Sequence, residues 1–431
     1  MTRVPASFRS VRPRVLGLVL GALAVAAPAP VAIAGPVPVV AARQPAPAGP
    51  AIREQVGALM REVSAAVAGA DQARYLALVS KSDPVFVTEQ RAWALDLGRK
   101  APEEFSVRLS DAEEELKPRD DGSVGAAITF TWRMPGGRTR TVSFPARFER
   151  AATPGEGRPA YLYAGEDWKA LEAPGVKVLF AEGGEEAAKI VADVLPEIRS
   201  HIHTLFELEG DTDITGRVQE VKLYRSMRHL QHSIYLSYTD GLAGWNEPGE
   251  SVKLLILRNP RRESLRGLIA HEYGHVASFQ MGPKANDMPW WLLEGVAEHA
   301  AEKYQRNGNR TRTIVRRWAT NDGLVDWAKL ADFRGEALEH QGNVYTQGHH
   351  MMNYITERFG KTKRNLWMRA MSAAEPKAMD EATREVLGLS FADLDREWRE
   401  SLKPEPAEPD GDAKPEPDKT APEPAAVGGK P

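Results

Sequence analysis

Residues 268–300 read LIAHEYGHVASFQMGPKANDMPWWLLEGVAEHA, two helical patterns separated by a break rich in Gly, Pro, Asn and Asp. The first helix is expected to open at Asn259-Pro260, with Asn as cap and Pro at the first helical position, and to run to about Met281. The second runs from Trp291 to about Arg306. The first carries His271-Glu272-Tyr273-Gly274-His275. A spacing of four puts both imidazoles on one face, one turn apart, so both can reach a single ion. Glu272 lies about 100° round the helix from His271, where it borders the open side of such an ion and can hold water.

With 10 histidines in 431 residues, this five-residue pattern arises by chance in about one chain in a hundred. The second helix adds independent weight. Eighteen residues separate His275 from Glu294, a third ligand from a second helix, which is what a catalytic zinc with an open fourth position needs. Glu298 follows one turn later on the same face, placed to accept a hydrogen bond from the outer nitrogen of a ligating histidine.

His271-Glu272-x-x-His275, eighteen residues, then Trp291-Leu292-Leu293-Glu294-Gly295 resembles the gluzincin metallopeptidases. The stretch is similar to their membrane alanyl aminopeptidase branch and to bacterial peptidase MA-like domains. The resemblance covers roughly residues 175–403, and its specific motifs lie between 271 and 299. It implies an α+β fold with a small mixed sheet above a mostly helical lower part. It also implies one zinc per chain on His271, His275 and Glu294, Glu272 as general base, and a peptide or protein substrate. Metzincins place Gly at +3 and His at +6 after the second histidine. This chain has Ser278 and Met281 there, which excludes that subclass.

Aminopeptidase-like relatives supply an oxyanion-stabilising tyrosine from a later helix, and GNVYTQGHHMMNYITERFG at 342–360 makes Tyr345 the candidate. Thermolysin-like relatives use a histidine for this, but His349 and His350 read as structural polar residues. In the family an edge strand pairs with the extended substrate, and SVKLLILR at 251–258 is either that strand or a buried central one. The G-x-M-E-N signature that captures a free N-terminus is absent. GWNEPGE at 244–250 occupies a similar place, which tilts the expectation toward endopeptidase action. His201, His203, His229 and His232 lack metal spacing and read as structural.

The rest of the chain frames this region. Residues 1–34 have Arg3, Arg9, Arg12 and Arg14, an apolar run from 15 to 27, and Ala32-Ile33-Ala34: the parts of a secretory signal peptide. The expected location is therefore extracytoplasmic or secreted. The apolar run is short of the ~20 residues of a membrane span, and no later segment approaches that length. Without those four arginines the formal charge falls from −3 to −7, and no basic block suggests nucleic acid. There is no cysteine, so a metal site must use His and carboxylate.

Residues 35–50 are a Pro/Ala-rich linker. Residues 51–172 read as helices over 51–68 and 73–80, then alternating strands separated by Asp121-Gly122 and Pro135-Gly136-Gly137. That stretch resembles the cone-like α+β domains of nuclear-transport-factor-like and steroid-isomerase-like proteins, with a docking or substrate-presenting role. The second domain continues with a strand at 176–180, a helix over 185–208 with an acidic first turn, and a strand at 218–224. Later helices are expected over 344–359, 364–374 and 392–402. Residues 404–431 hold 8 prolines in 28 positions and are expected to be disordered. The rival to a peptidase is a lapsed metallopeptidase fold that only binds. The oligomeric state is left open by the sequence.

Overall fold

The computed structural model describes residues 49–110, 116–152, 159–210, 216–239, 241–257, 260–333 and 335–403. The expected signal peptide, most of the linker and the tail lie outside them.

Helix α1 (Gly49–Ala68) buries Ile52, Val56, Leu59 and Val63, the face its periodicity gives. After α2 (Gln72–Ala77) the chain forms α3 (Pro84–Arg99). Asp83-Pro84, which reads as a stop for α2, also starts α3. The Asp83 carboxylate accepts from the amides of Val85 and Phe86, with Pro84 at the first helical position.

An antiparallel sheet follows: β1 (Glu104–Leu109), β2 (Lys117–Pro118), β3 (Val124–Arg133), β4 (Arg140–Arg150) and β5 (Tyr161–Glu166). Its order is β1-β3-β4-β5, with β2 also on β3. The helices and this sheet share one core, centred on Trp93, Ile128, Phe130, Trp132 and Phe148.

The second sheet is mixed. It contains β6 (Lys169–Ala173), β7 (Val176–Phe180), β8 (Gln219–Tyr224), β9 (Gly244–Trp245) and β10 (Val252–Leu255), in the order β6-β7-β8-β10-β9. Strands β7, β8 and β10 are parallel, and the outer two run antiparallel. SVKLLILR is therefore not the edge. Its strand β10 lies between β8 and β9, and Ser251 to Leu254 are all buried. The edge strand on this side of the sheet is Gly244–Trp245. Val221, Leu223, Val252 and Leu254 pack into the second core. On the alternate positions Lys222 and Lys253 are buried against Glu89 of α3, at 2.6 and 3.2 Å. Glu220 and Glu250 complete this charge cluster.

Helices make up the remainder. These are α4 (Glu185–Phe206), α5 (Met227–Ile234), α6 (Arg262–Phe279), α7 (Trp290–Gln305), α8 (Gly308–Thr320) and α9 (Gln341–Ser372). After them come α10 (Met379–Ala382) and α11 (Phe391–Ser401). Helix α6 begins at Arg262 with Arg261 in the cap position, two residues after the expected start; Asn259 lies outside the described residues. Helix α9 breaks at Gly360, where φ is 84°, so the two predicted helices appear as one interrupted element.

Helix α6 packs on α4 and α7, and α7 packs on α9. Two close approaches fix this arrangement. A Cβ on Gly274 would sit 2.9 Å from Ala297 Cα and Ala300 Cβ, and one on Gly348 would sit 2.3 Å from the Trp291 carbonyl oxygen. The fold is thus mixed α+β. Among the described residues no helix is long and apolar enough to cross a membrane.

Candidate metal centre and cleft

The Gly274 contact sets α6 against α7 closely enough for their side chains to meet. His271 Nε2 and His275 Nε2 lie 3.3 and 3.4 Å from Glu294 Oε2. Ligands held at zinc distance in a tetrahedron stand about 3.3 Å apart. The three residues therefore already have the spacing of a metal triad, and each offers one ligand atom within 4.8 Å of the others.

Glu294 is oriented from its far side. The Trp290 indole donates to Oε1 at 2.8 Å, while Oε2 is buried with no hydrogen-bond partner. A buried, unpartnered carboxylate oxygen facing two imidazoles is costly unless a cation completes it. Burial works against the charge of Glu294, yet His275 and His271 hold its carboxyl well below the ordinary range. His271 is likewise opposed by burial and raised by Glu294 and Glu298. In a loaded centre the ion would take the place of those protons.

Glu298 Oε1 stands 3.1 Å from His271 Nδ1, the position expected from the sequence, and Asn307 donates to its other oxygen at 3.0 Å. Glu272 is buried on the cleft side of α6. Burial raises its carboxyl, partly offset by His271 and His275. Two residues that the sequence reading left without a role control it. Asn246 Nδ2 donates to Glu272 Oε2 at 2.9 Å and to the Glu272 carbonyl at 3.2 Å. A Cβ on Gly244 would fall 2.2 Å from Glu272 Oε1, so any side chain there must displace Glu272. The signal was in GWNEPGE, whose Gly and Asn serve the acid of the neighbouring helix rather than matching G-x-M-E-N.

Tyr345, on α9, stacks on His271 with ring centres 6.0 Å apart and meets Trp290 edge-on at 6.3 Å. Burial first, and then Glu294 and Glu272, push its hydroxyl well above the ordinary tyrosine range, so it keeps its proton as a donor. His349 is not in the cleft. It bonds Glu302 at 2.8 Å and Thr311 at 3.2 Å. His350 accepts from Trp398, and His203 meets the Tyr273 hydroxyl at 2.8 Å.

A second group with metal-ligating side chains, His299, Glu302 and His349, also comes together. Its chemistry differs. Every member is hydrogen-bonded within a network that includes Asn353, and His299 faces the buried guanidinium of Arg364. Burial and that guanidinium push the His299 imidazole down to about 3. A fixed positive charge at this position repels a divalent ion, and no oxygen is left wanting one. The first group fits a metal, while the second clamps α7, α8 and α9 together.

The triad floors a cleft of about 790 Å³ whose walls include Tyr238, Trp245, Met288, Phe333 and Leu338. Among the described residues six of the lining side chains are acidic (Glu247, Glu272, Asp287, Glu294, Glu298 and Asp332) and none is Lys or Arg. Burial, with Glu250 nearby, raises Glu247 to about 7, and Asn286 donates to it at 2.8 Å.

No protein-family profile matches the chain, and no curated protein does. Solved structures similar to it include an M1 zinc metallopeptidase from Deinococcus radiodurans, at 14% identity and a TM-score of 0.30. That match covers 71% of this chain and 64% of the other. A two-domain M1 zinc metallopeptidase variant bound to L-tryptophan matches at 14% identity and TM-score 0.32, covering 71% and 63%. A variant of the Deinococcus radiodurans enzyme bound to a Tyr-Ser-Ala substrate matches at 13% and 0.31, covering 72% and 64%. The chain spans less than two thirds of the length of these structures.

Proposed function

We propose that this chain is a zinc-dependent peptidase of gluzincin type, acting on an extended peptide laid across the cleft and exported by the segment at 1–34. One observation carries the reading. Glu294 Oε2, buried and unpartnered, stands at metal-triad spacing from two imidazoles, with Glu272 beside them in an open cleft.

Zinc bound there would polarise a substrate carbonyl and acidify water at neutral pH. The chain's own residues do the rest. Glu272, aimed by Asn246, takes a proton from the attacking water and passes it to the leaving amine. Tyr345 supplies a hydroxyl donor toward the oxyanion. Glu298 fixes the tautomer of His271, and Trp290 leaves Glu294 one free oxygen. The backbone of β9 lies at the sheet edge and on the cleft wall, the position from which a substrate strand can be paired.

The test is zinc content together with cleavage of an unfolded protein such as casein. One zinc per chain with cleavage supports the reading. Full zinc with no cleavage favours the lapsed, binding-only alternative.

Two substitutions probe the supporting residues. Trp290→Phe keeps the ring but removes the donor to Glu294, and zinc affinity should fall about tenfold, measured by competition with a chromogenic chelator. Unchanged affinity would show that the indole does not orient the ligand. Gly244→Ala should displace Glu272 and cut kcat about a hundredfold with zinc retained. Parental kcat would place the catalytic proton acceptor elsewhere.

A further inference from the structure

We propose that the aromatic face of the N-terminal sheet is the seat of residues 229–238, and that Trp93, Trp132 and Arg140 thereby position the aromatic wall of the cleft. The link to substrate rests on the peptidase reading above, whereas the seating itself does not.

The rings of Trp93, Phe130, Trp132 and Phe144 surround His232 with centre separations of 6.3, 4.6, 5.3 and 5.9 Å. His229 lies flat on Phe144 at 4.5 Å. Leu236, only 1% exposed, belongs to the core built by α1, α3 and the first sheet rather than to that of the second sheet. Three side chains of the N-terminal half then hold the backbone at the end of α5 and just beyond it. Trp93 donates to the His232 carbonyl at 3.0 Å, Trp132 to that of Leu236 at 3.1 Å, and Arg140 to that of Tyr238 at 3.1 Å.

The same segment becomes the cleft wall within a few residues. The Tyr238 and Tyr235 rings meet Trp245 at 5.3 and 6.1 Å, and Tyr238, Trp245 and Asn246 line the cleft. Asn246 in turn holds Glu272. A two-residue strand on so short a connection cannot fix its own position, because it has little core and few ladder bonds of its own. Its rigidity must come from the surface on which α5 is anchored.

This seating also decides against a ligand-binding role for that aromatic face. The space left beside His232 is about 70 Å³, far below the roughly 300–1,000 Å³ of a small-molecule site. The position a ligand would take is filled by the chain's own His229, His232 and Leu236.

Hydrogen exchange on the full chain, with casein kinetics beside it, tests the proposal. Arg140→Ala removes the donor to Tyr238, and Trp132→Phe removes the donor to Leu236 while keeping an aromatic ring. Arg74→Ala, which breaks an exposed pair with Glu62 in the same half of the molecule, is the control. In both test variants the amides of 235–239 and 241–246 should exchange about tenfold faster, the loss of one anchoring hydrogen bond. Amides of α6 and α7, and zinc content, should stay parental, and KM should rise about threefold or more with kcat less affected. Exchange no faster than in Arg74→Ala overturns the seating. Faster exchange with parental KM overturns its link to substrate. If the parent cleaves nothing, the peptidase reading fails, and exchange alone decides whether the segment is seated as described.

Discussion

Glu272→Gln is expected to abolish peptide hydrolysis while leaving one zinc per chain. Glutamine is isosteric and still accepts from Asn246, so the local geometry survives, but it cannot take a proton from water. General-base catalysis contributes about 10²–10⁴ in rate, and kcat should fall by at least that range's middle. Glu272 points to the cleft and lies outside the triad of ligand atoms, which is why the metal should stay. Kinetics on casein with parallel metal analysis reads both outcomes. Loss of zinc together with activity would show that Glu272 is a ligand.

Glu294→Ala should act in the opposite order, removing the metal first and activity as a consequence. The substitution deletes the only carboxylate of the triad and leaves two partly buried imidazoles facing a void. Zinc affinity should drop more than about a hundredfold, beyond the 10- to 100-fold loss typical of a residue that merely orients a ligand. Titration against a chelator of known affinity measures it. If the variant holds zinc as tightly as the parent, the third ligand lies elsewhere. Glu298 is then next in line, since His299 is committed to Asn353 and Arg364.

The chain's own pattern showed the triad because its geometry is local. Two helices at period 3.6, each presenting one face, are enough to bring His271, His275 and Glu294 together once Gly274 lets the helices touch. What lay beyond the pattern depends on distant segments. Asp83-Pro84 gave a boundary, but α3 beyond it went unread. Helix α8 went unread as well, since it is polar overall, buries only Thr311 and Val315, and confines its apolar stripe to Ile314, Val315 and Trp318.

Strand β10 could be read as edge or centre because an apolar run with one lysine fits both. Glu250, three residues earlier, and Glu89, 164 positions before Lys253 in the sequence, make that lysine tolerable in a covered strand. The roles of Gly244 and Asn246 depend on Glu272, a residue of another element. His299 stands beside Glu298 in the sequence, but the guanidinium of Arg364, 65 positions later, faces its ring.

The most direct measurement is an anomalous-scattering map at the zinc edge from crystals of the zinc-loaded chain. The expected result is a single peak about 2.0–2.2 Å from His271 Nε2, His275 Nε2 and an oxygen of Glu294, on the floor of the cleft. A peak at His299, Glu302 and His349 instead, or a Glu294 carboxylate turned away from both imidazoles, would contradict the assignment.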